Sequence, residues 1–307
     1  MSLGRVLICG GRGLVGLALG RRLKAEGYEV VFLSRENGFY EGFRCYEWNP
    51  KQQKLDLAAL EGCQVIINLA GANVGEKRWN EAYKKEILES RTLSTRLLYQ
   101  TLKKQPGQVH TFINASAVGY YGSDTGNQTV TESSPQGSDF LARVVGSWER
   151  EAAPVLSLGI RLVILRIGIV LSAKGGAYIS IRKPVSMGVG AELGRGLQWF
   201  PWIHNDDLCN IFLFAVQQKS IEGIYNAVAP ICITNRMFTR LVAEQLKKPF
   251  FMPAVPAFVL KLMLGEFAES VLGGQYVSAD KLLKAGYKFK YEQAVHAVGA
   301  LEKTSLV

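Results

Sequence analysis

The feature that most constrains this 307-residue chain is a glycine-rich segment, residues 9–16, placed directly after a short apolar run. It contains G-x-x-G-x-x-G through Gly10, Gly13 and Gly16, and G-x-G-x-x-G through Gly11, Gly13 and Gly16. The apolar run predicts a strand, and the amphipathic residues that follow predict a helix. Glycines in such a turn let the backbone approach a pyrophosphate bound at the start of the helix. The segment therefore predicts dinucleotide binding.

Strand and helix patterns alternate along the first half of the chain, which is typical of a parallel sheet covered by helices on both faces. Strands are predicted at residues 5–9, 28–33, 64–69, 109–115 and 161–171, and helices at 14–26, 77–104 and 140–158. We expect an α/β fold with a Rossmann-like, doubly wound parallel sheet and a smaller C-terminal substrate domain.

The composition shifts near residue 172, where glycines and short helical segments begin to dominate. We expect a dinucleotide-binding Rossmann domain over residues 1–172, with residues 204–228 returning to it. A small substrate or lid region would comprise residues 173–203 and 229–307.

The end of the second predicted strand bears on which dinucleotide binds. An acidic residue there binds the ribose 2′-hydroxyl of NAD, whereas an arginine accepts the 2′-phosphate of NADP. The strand ends as Ser34, Arg35 and Glu36, and Arg12 adds a cation from the glycine segment. Arg35 comes first after the apolar run, so we favour NADP (NADPH). The alternatives are NAD bound by Glu36, and Arg35 as a plain surface charge.

The net charge of +10 leaves three classes of partner open: a nucleic acid, an anionic membrane surface or an anionic small ligand. No basic tail and no recognised nucleic-acid-binding motif accompany the charge, so we do not expect a nucleic-acid partner. The longest apolar stretch, residues 250–267, contains two prolines and a lysine and does not predict a membrane span. We expect a small-molecule substrate, for which Arg182, Lys183 and Arg195 are candidate contacts if it is anionic.

The cysteines and histidines indicate whether the chain has disulfides or a metal site, and in which cellular compartment we expect it. The five cysteines, Cys9, Cys45, Cys63, Cys209 and Cys232, are scattered without a C-x-x-C pair, and the three histidines show no ligand spacing. This pattern argues against a disulfide framework and against a metal site. Residues 1–3 are too short for a signal peptide, and we expect a soluble, cytoplasmic protein.

Several further motifs carry a resemblance to a known family. The glycine segment, residues 68–71 and residues 202–207 resemble an extended short-chain dehydrogenase/reductase. More narrowly, the chain resembles an atypical branch of the NAD-dependent epimerase/dehydratase-like family, often labelled nucleoside-diphosphate-sugar epimerase or cell-division-inhibitor-like. The motifs of that branch are Ser34-Arg35, Arg78-Trp79, Ser90-Arg91, residues 116–122, Trp148-Glu149, Gln198-Trp199 and residues 272–275. The resemblance covers essentially the whole chain.

The resemblance implies a site for NADP. Ser34 and Arg35 would bind the 2′-phosphate, and Ile169 would lie at the nicotinamide end. Glu86 and Arg91 would reach the cofactor, although taken alone they are typical of surface charges on a helix. The full set of implied cofactor-binding residues is Gly10, Gly11, Arg12, Gly13, Leu14, Val15, Gly16, Ser34, Arg35, Leu69, Ala70, Gly71, Glu86, Arg91, Ser116 and Ile169.

Catalysis is where the chain departs from the family. Members place a serine or threonine after the fifth strand and a Tyr-x-x-x-Lys pair on the following helix, where the lysine helps the tyrosine to move a proton. Ser116 fits the hydroxyl position, but the equivalent helix has apolar residues in place of the pair. Only Tyr99 has a lysine four residues later, Lys103, and that pair precedes Ser116. We interpret it as a coincidence on a helix surface.

Two hypotheses about function follow. In the first, Ser116 acts with Tyr120 or Tyr121, aided by Glu149 or His204, in an NADP-dependent oxidoreductase or nucleotide-sugar epimerase-like enzyme. In the second, the protein binds NADP without turnover and acts as a regulator or sensor. Tyr120 and Tyr121 could instead pack under their loop.

Two further segments have simpler interpretations. His204, with Asp206 and Asp207, would cap a helix running to Val216. We expect residues 249–267 to pack on the core as a hairpin; if exposed, they would mark a homo-oligomer or partner contact.

Overall fold

The computed structural model describes residues 3–105 and 107–305. The strands in this part of the chain are β1 (Arg5–Cys9), β2 (Glu29–Ser34), β3 (Gly38–Tyr40), β4 (Phe43–Asn49), β5 (Lys54–Leu55), β6 (Cys63–Asn68), β7 (Thr111–Ala117), β8 (Thr129–Val130), β9 (Arg161–Ile167), β10 (Ile169–Leu171), β11 (Trp199–Phe200), β12 (Trp202–His204), β13 (Gly223–Ala227), β14 (Ile233–Thr234) and β15 (Tyr276–Val277). The helices are α1 (Leu14–Ala25), α2 (Glu81–Lys104), α3 (Phe140–Ala152), α4 (Ala177–Ser186), α5 (Asn205–Gln217), α6 (Asn235–Gln245), α7 (Ala257–Leu264), α8 (Ala268–Leu272), α9 (Asp280–Lys284) and α10 (Ala294–Ser305).

Within the described residues, a nine-stranded sheet has the order β13-β9-β7-β6-β1-β2-β4-β3, with β5 paired to β4. Neighbours from β13 to β4 run parallel, while β3 and β5 run antiparallel to β4. The α/β prediction is confirmed. Because the chain builds one half of the sheet outward from β1 and then returns to place β6 on the other side, a crevice opens between β1 and β6 at their carboxyl ends.

Alternation along β1 shows why both faces of the sheet are covered. Val6 and Ile8 belong to one apolar cluster, which also contains residues of α1 and α5. Leu7 and Cys9 belong to a second cluster, which contains residues of α2 and α3. Side chains of a strand alternate between the two faces, so a continuous apolar run buries one set under each helix layer.

A third apolar cluster underlies the C-terminal part of the chain. Leu171, Tyr178, Trp202 and Phe238 belong to it, together with residues of α10. By contrast, β13 extends the main sheet and α5 packs against α1. The predicted division near residue 172 stays a prediction.

Some predicted elements differ from the structure. The predicted strand at 161–171 is divided into β9 and β10 at Gly168, because the Ile169 N–H leaves the sheet and donates to the Pro201 carbonyl at 2.7 Å. The helix predicted from residue 77 begins at Glu81, where Asn80 caps it by accepting from Tyr83 N–H at 2.8 Å. Strands β3 to β5 lie in a segment for which no element was predicted.

The prediction that residues 249–267 pack on the core as a hairpin is wrong. Within this segment, Ala257–Leu264 form the short helix α7, which buries only Leu260. Phe258 is 72% exposed, Leu262 72% and Met263 68%. A helix of two turns that rests on one side chain leaves its remaining faces in solvent. In the described chain, none of the helices has the length and apolarity needed to cross a bilayer.

Candidate functional site

The glycine segment forms the turn between β1 and α1. Gly10 has a φ of +79°, and a Cβ at this position would lie 2.9 Å from the Leu69 carbonyl oxygen. A Cβ on Gly16 would collide with the Gly10 carbonyl, so only glycine lets α1 approach the turn. Gly13 caps α1 without a side-chain hydrogen bond. The first N–H groups of α1, at Leu14 and Val15, are therefore not capped by a side chain and can bind an anion.

Packing, as well as the expected cofactor binding, requires glycine at position 11. The Phe32 ring of β2 lies under it, and a Cβ on Gly11 would collide with that ring. Phe32 stacks on Phe43 with ring centroids 4.6 Å apart. The turn thus rests on a buried aromatic pair, which fixes its height above the sheet.

The carboxyl end of β2 presents cations beside this turn. Ser34 is buried and its Oγ accepts from Glu36 N–H at 3.4 Å, while the Arg35 and Glu36 side chains are exposed. Arg12 lies with its guanidinium 4.7 Å from the centre of the Tyr40 ring. Neither Arg12 nor Arg35 forms an ion pair with a described residue. Both guanidinium groups remain available to an anionic ligand.

The loop after β6 is held from below by a buried amide. Asn68 donates through Nδ2 to Thr95 Oγ1 and to Asn114 Oδ1, each at 2.8 Å, and its Oδ1 accepts from Ala70 N–H at 3.3 Å. These bonds fix the backbone of Leu69, Ala70 and Gly71 at the mouth of the crevice. The resemblance included Asn68, but nothing in the sequence linked it to Asn114 or Thr95.

Arg91 reaches this loop from α2, whereas Glu86 on the same helix is exposed. The Arg91 guanidinium donates to the carbonyls of Ile87 at 2.9 Å and Ala72 at 3.1 Å. Burial lowers the pKa of Arg91 to about 10. A Cβ on Gly71 would lie 3.0 Å from its Cζ atom. The structure therefore brings Arg91, and not Glu86, against the loop after β6.

A buried polar cluster of Ser116, Glu149 and Arg166, the Ser116 cluster, lies at the carboxyl ends of β7 and β9. Ser116 Oγ donates to Glu149 Oε1 at 2.5 Å. Arg166 donates to the same carboxylate twice, through Nε to Oε1 and through Nη2 to Oε2, each at 2.8 Å. Ser116 is 3% exposed, Glu149 7% and Arg166 1%. Burial alone would lower the pKa of Arg166, but the hydrogen bonds and charge of Glu149 outweigh it and raise that pKa, so Arg166 stays cationic.

Tyr120 and Tyr121 follow β7 in the short 3₁₀ helix Val118–Tyr121 and take different positions. The Tyr121 hydroxyl donates to Asn226 Oδ1 at 2.6 Å and accepts from Arg166 Nη1 at 3.1 Å, and burial raises its pKa. The Tyr120 ring lies 3.4 Å from the Arg166 guanidinium, and no described residue is hydrogen-bonded to its hydroxyl. Of the two phenols, only that of Tyr120 is available to a ligand.

Two residues considered from sequence lie elsewhere. His204 caps α5 by accepting from Asp206 N–H through Nδ1 at 3.1 Å, and its ring packs on Tyr291 at 4.1 Å. The predicted cap is confirmed, with His204 as the capping side chain and the helix ending at Gln217. Tyr99 packs on the apolar cluster between α2 and the sheet.

Arg166 and Asn226 were missed by sequence reasoning. Their partners come from distant points of the chain, and motif spacing holds no information about such contacts. The one available signal was Arg166 itself, a cation inside an apolar strand. A buried arginine needs an acid, and Glu149 supplies it.

The C-terminal part contacts the start of α2 and the segment just before it. Trp79 contacts Phe267 with ring centroids 5.6 Å apart, and Lys84 pairs with Glu266 at 2.5 Å. A cavity of about 670 Å³ lies next to the loop that follows Tyr121. Its charged lining residues are Asp124, Arg195, Lys261 and Glu269.

Of the three cations proposed to contact an anionic substrate, only Arg195 lines the cavity. Arg182 instead pairs with Glu302 at 2.8 Å, and Lys183 is not part of the cavity wall. Among the residues described, no cluster of histidine, cysteine and carboxylate side chains is suited to a metal ion.

Comparison with known proteins bears on this geometry. Residues 6–227 match the model of the NAD dependent epimerase/dehydratase family, and residues 255–301 match a domain of unknown function, DUF1731. The mouse epimerase family protein SDR39U1 is 35% identical over 293 residues, which is 94% of this chain and 96% of the mouse protein.

Two solved structures are similar at comparable identity. Human epimerase family protein SDR39U1, solved with NADPH, superposes with a TM-score of 0.88 at 33% identity, over 97% of this chain and 99% of that one. A nucleoside-diphosphate sugar epimerase from Corynebacterium glutamicum superposes with a TM-score of 0.78 at 33% identity, over 97% of this chain and 57% of that one.

Proposed function

The chain belongs to the NAD dependent epimerase/dehydratase family, and from this premise we propose that it is an NADP-dependent oxidoreductase or nucleotide-sugar epimerase-like enzyme that works without a Tyr-x-x-x-Lys pair. The observation that carries the proposal is the meeting of two features at one edge of the sheet. The glycine turn lies at the carboxyl end of β1, and the Ser116 cluster lies at the carboxyl ends of β7 and β9. A dinucleotide laid across this edge would reach from one to the other.

The residues at this edge fit NADP. The turn leaves room for a pyrophosphate, and the uncapped start of α1 offers N–H groups to it. Arg35 and Arg12 would pair with the 2′-phosphate beside Ser34. The human relative's structure with NADPH supports this assignment. The residues proposed to hold the cofactor are Gly10, Gly11, Arg12, Gly13, Leu14, Val15, Gly16, Ser34, Arg35, Leu69, Ala70, Gly71, Glu86, Arg91, Ser116 and Ile169.

Bound NADP would supply hydride exchange at its nicotinamide ring. In our proposal, Ser116 and Tyr120 contact the substrate oxygen. From the sequence, Tyr121 was an equal candidate for contact with the substrate. Its hydroxyl is hydrogen-bonded to Asn226 and Arg166, so in our proposal it positions Arg166 instead. His204 caps α5 and takes no part.

The substrate class follows from the cavity and from the named relative. Arg195 and Lys261 line the cavity, and neither forms an ion pair with a described residue. We propose a small anionic substrate of the nucleotide-sugar kind, in line with the name of the C. glutamicum protein.

A regulator that binds NADP without turnover is the second candidate. It is favoured by one observation: on α3, the helix that follows Ser116, Leu141 and Val145 occupy successive turns in place of polar groups. Incubation of the protein and NADPH with a panel of carbonyl compounds and nucleotide sugars separates the two functions. Cofactor oxidation or sugar interconversion supports the enzyme, and binding with no conversion supports the regulator.

Cofactor choice is tested by fluorescence titration with NADPH and NADH. We expect tighter binding of NADPH. Replacement of Arg35 by alanine removes about one charge-assisted hydrogen bond, worth roughly 1.5–3 kcal/mol. NADPH affinity should therefore fall by roughly 10- to 100-fold while NADH affinity is unchanged.

The matched control is Glu36→Gln at the neighbouring exposed position. If Glu36→Gln weakens NADH binding and Arg35→Ala leaves NADPH binding intact, the cofactor is NAD and the assignment is wrong.

A further inference from the structure

The hydrogen bond between Ser116 and Glu149 has a defined direction. Arg166 donates to both oxygens of the Glu149 carboxylate, so this group is ionised and can only accept. Serine has a single hydroxyl proton, which must lie on the 2.5 Å bond to Glu149. Ser116 therefore has only lone pairs to offer a ligand. A ligand group that bonds to it must be a donor, such as a hydroxyl.

The carboxylate is fixed in this position from several sides. Besides its two bonds to Glu149, Arg166 donates through Nη1 to the Tyr121 hydroxyl at 3.1 Å and to the Glu132 carbonyl at 3.3 Å. The Tyr120 ring covers its face. With the guanidinium held this way, Glu149 cannot turn from Ser116 without breaking a buried bidentate ion pair.

Glu149 lies on α3, the helix that follows Ser116 in the chain. In this chain, the only ionisable side chain of α3 that is hydrogen-bonded to Ser116, among the described residues, is Glu149. Glu149 is thus placed to accept the Ser116 hydroxyl proton.

We propose that Glu149 is the terminal proton acceptor of this site and that Ser116 relays the proton to it from a substrate hydroxyl. This inference rests on the proposed oxidoreductase function. As a substrate alcohol becomes a carbonyl and its hydride is taken up by NADP⁺, the alcohol O–H bond breaks and its proton passes to Ser116 Oγ. The Ser116 proton passes to Glu149 Oε1, which becomes a neutral acid. Reduction runs the same transfers in reverse.

The relay is tested by turnover of three variants: Glu149→Gln, Ser116→Ala and the double substitution. Glutamine keeps the shape and a hydrogen bond but cannot take the proton, so turnover should fall by roughly 10²- to 10⁴-fold. The NADPH affinity of Glu149→Gln, measured by fluorescence, should stay unchanged, because Glu149 is not among the residues proposed to hold the cofactor. Because the two groups act in series, the double variant should lose no more than either single one.

Glu151→Gln is the matched control. Glu151 lies on the same helix and pairs with Arg96 at 3.0 Å near the surface, so its replacement should leave turnover unchanged. If Glu149→Gln fails to fold, Ser116→Ala decides, since it leaves the ion pair intact. Wild-type turnover in Ser116→Ala, or losses that multiply in the double variant, would overturn the relay while the enzymatic function stands.

The pH profile separates a proton acceptor from a structural group. Charged or titratable groups around Glu149 are Arg166 on β9, Tyr120 and Tyr121 against Arg166 from the 3₁₀ helix, and Glu132, whose carbonyl accepts from Arg166 and whose charge acts on Tyr121. Because the relay ends on Glu149, the pH profile of alcohol oxidation should differ in shape between the wild type and Glu149→Gln. A purely structural role would lower the rate and keep the shape of the profile.

A neutron crystal structure of the NADP⁺ complex, the state that precedes alcohol oxidation, reads the proton positions without any turnover. Deuterium on Ser116 Oγ, directed at an ionised Glu149, is the expected result. A protonated Glu149 that donates to Ser116 would overturn the inference. Failure of the function is distinguishable, because the wild type would then bind NADPH and convert no substrate at all.

Discussion

The glycine turn and the Ser116 cluster lie on one edge of the same sheet but are built in opposite ways. The turn is one short run of consecutive residues, and it is specified by the absence of side chains at Gly10, Gly11 and Gly16. The cluster consists of side chains from distant points of the chain, joined by a buried ion pair between Glu149 and Arg166. The turn offers N–H groups that no side chain caps, whereas nearly all polar groups of the Ser116 cluster are already hydrogen-bonded.

This difference explains what each region can do. Unpaired N–H groups at the start of a helix are ready for a phosphate, so the turn is a binding device in its resting state. A buried ion pair is costly to desolvate and is no direct sign of stability. We therefore explain the Glu149–Arg166 pair by the ionised carboxylate that it keeps next to Ser116. The comparison therefore predicts that damage to the turn alters affinity and that damage to the cluster alters stability and chemistry.

The largest expected effect comes from Arg166→Met. It removes one partner of the buried pair and leaves the Glu149 carboxylate uncompensated, which should lower the free energy of unfolding by about 3–5 kcal/mol. Arg96→Met is the control, because the Arg96–Glu151 pair lies nearer the surface, with Arg96 48% and Glu151 23% exposed, and its loss should cost less than about 1 kcal/mol. Urea denaturation measures both. Equal losses in the free energy of unfolding would show that the buried Glu149–Arg166 pair contributes no more to stability than the pair nearer the surface.

The next effect separates two glycines of the turn. Gly13 has extended backbone angles, and a Cβ there would meet only the Gly10 carbonyl oxygen, at 3.3 Å, which requires a shift of a few tenths of an ångström. Gly13→Ala should therefore lose less melting temperature than Gly16→Ala. It should bind NADPH roughly 10- to 100-fold more weakly, because the added methyl group keeps the pyrophosphate from about one charge-assisted hydrogen bond.

Gly16→Ala, by contrast, should lose affinity and melting temperature together, because its Cβ collides with the Gly10 carbonyl. Calorimetry and fluorescence titration check both variants. If Gly13→Ala binds NADPH as the wild type does, the pyrophosphate does not lie on this turn.

The smallest effect concerns His204, outside both regions. Burial lowers its pKa from the ordinary 6.5, partly offset by Asp206 and Asp207, while Lys290 adds to the lowering. The unfolded chain then binds more protons near this pH, so stability is lost as the pH falls below about 6.5. Protonation at Nδ1 also breaks the cap on α5.

His204→Asn keeps a good capping residue and should remove this loss of stability between neutral pH and mildly acidic conditions. Urea denaturation across that range measures it, with His110→Asn as the control. An unchanged pH dependence in His204→Asn would contradict the assignment.

The same contrast governs how much could be predicted from the sequence. The turn, the parallel sheet and the capped helix after His204 depend on neighbouring residues, and local patterns predicted them. Arg166, Asn226 and the partners of Asn68 depend on which strands become neighbours, and a linear pattern does not contain that information. The exposed face of α7 was missed for a related reason: apolar composition predicts burial, but whether a helix is covered depends on its neighbours in the fold, and α7 buries only Leu260.

A crystal structure of the protein with NADPH tests the central claim most directly. We expect the pyrophosphate at the start of α1, the 2′-phosphate between Ser34 and Arg35, and the nicotinamide next to Ser116 and Tyr120. A nicotinamide directed away from Ser116, or a ribose held by Glu36 with Arg35 in solvent, would contradict it.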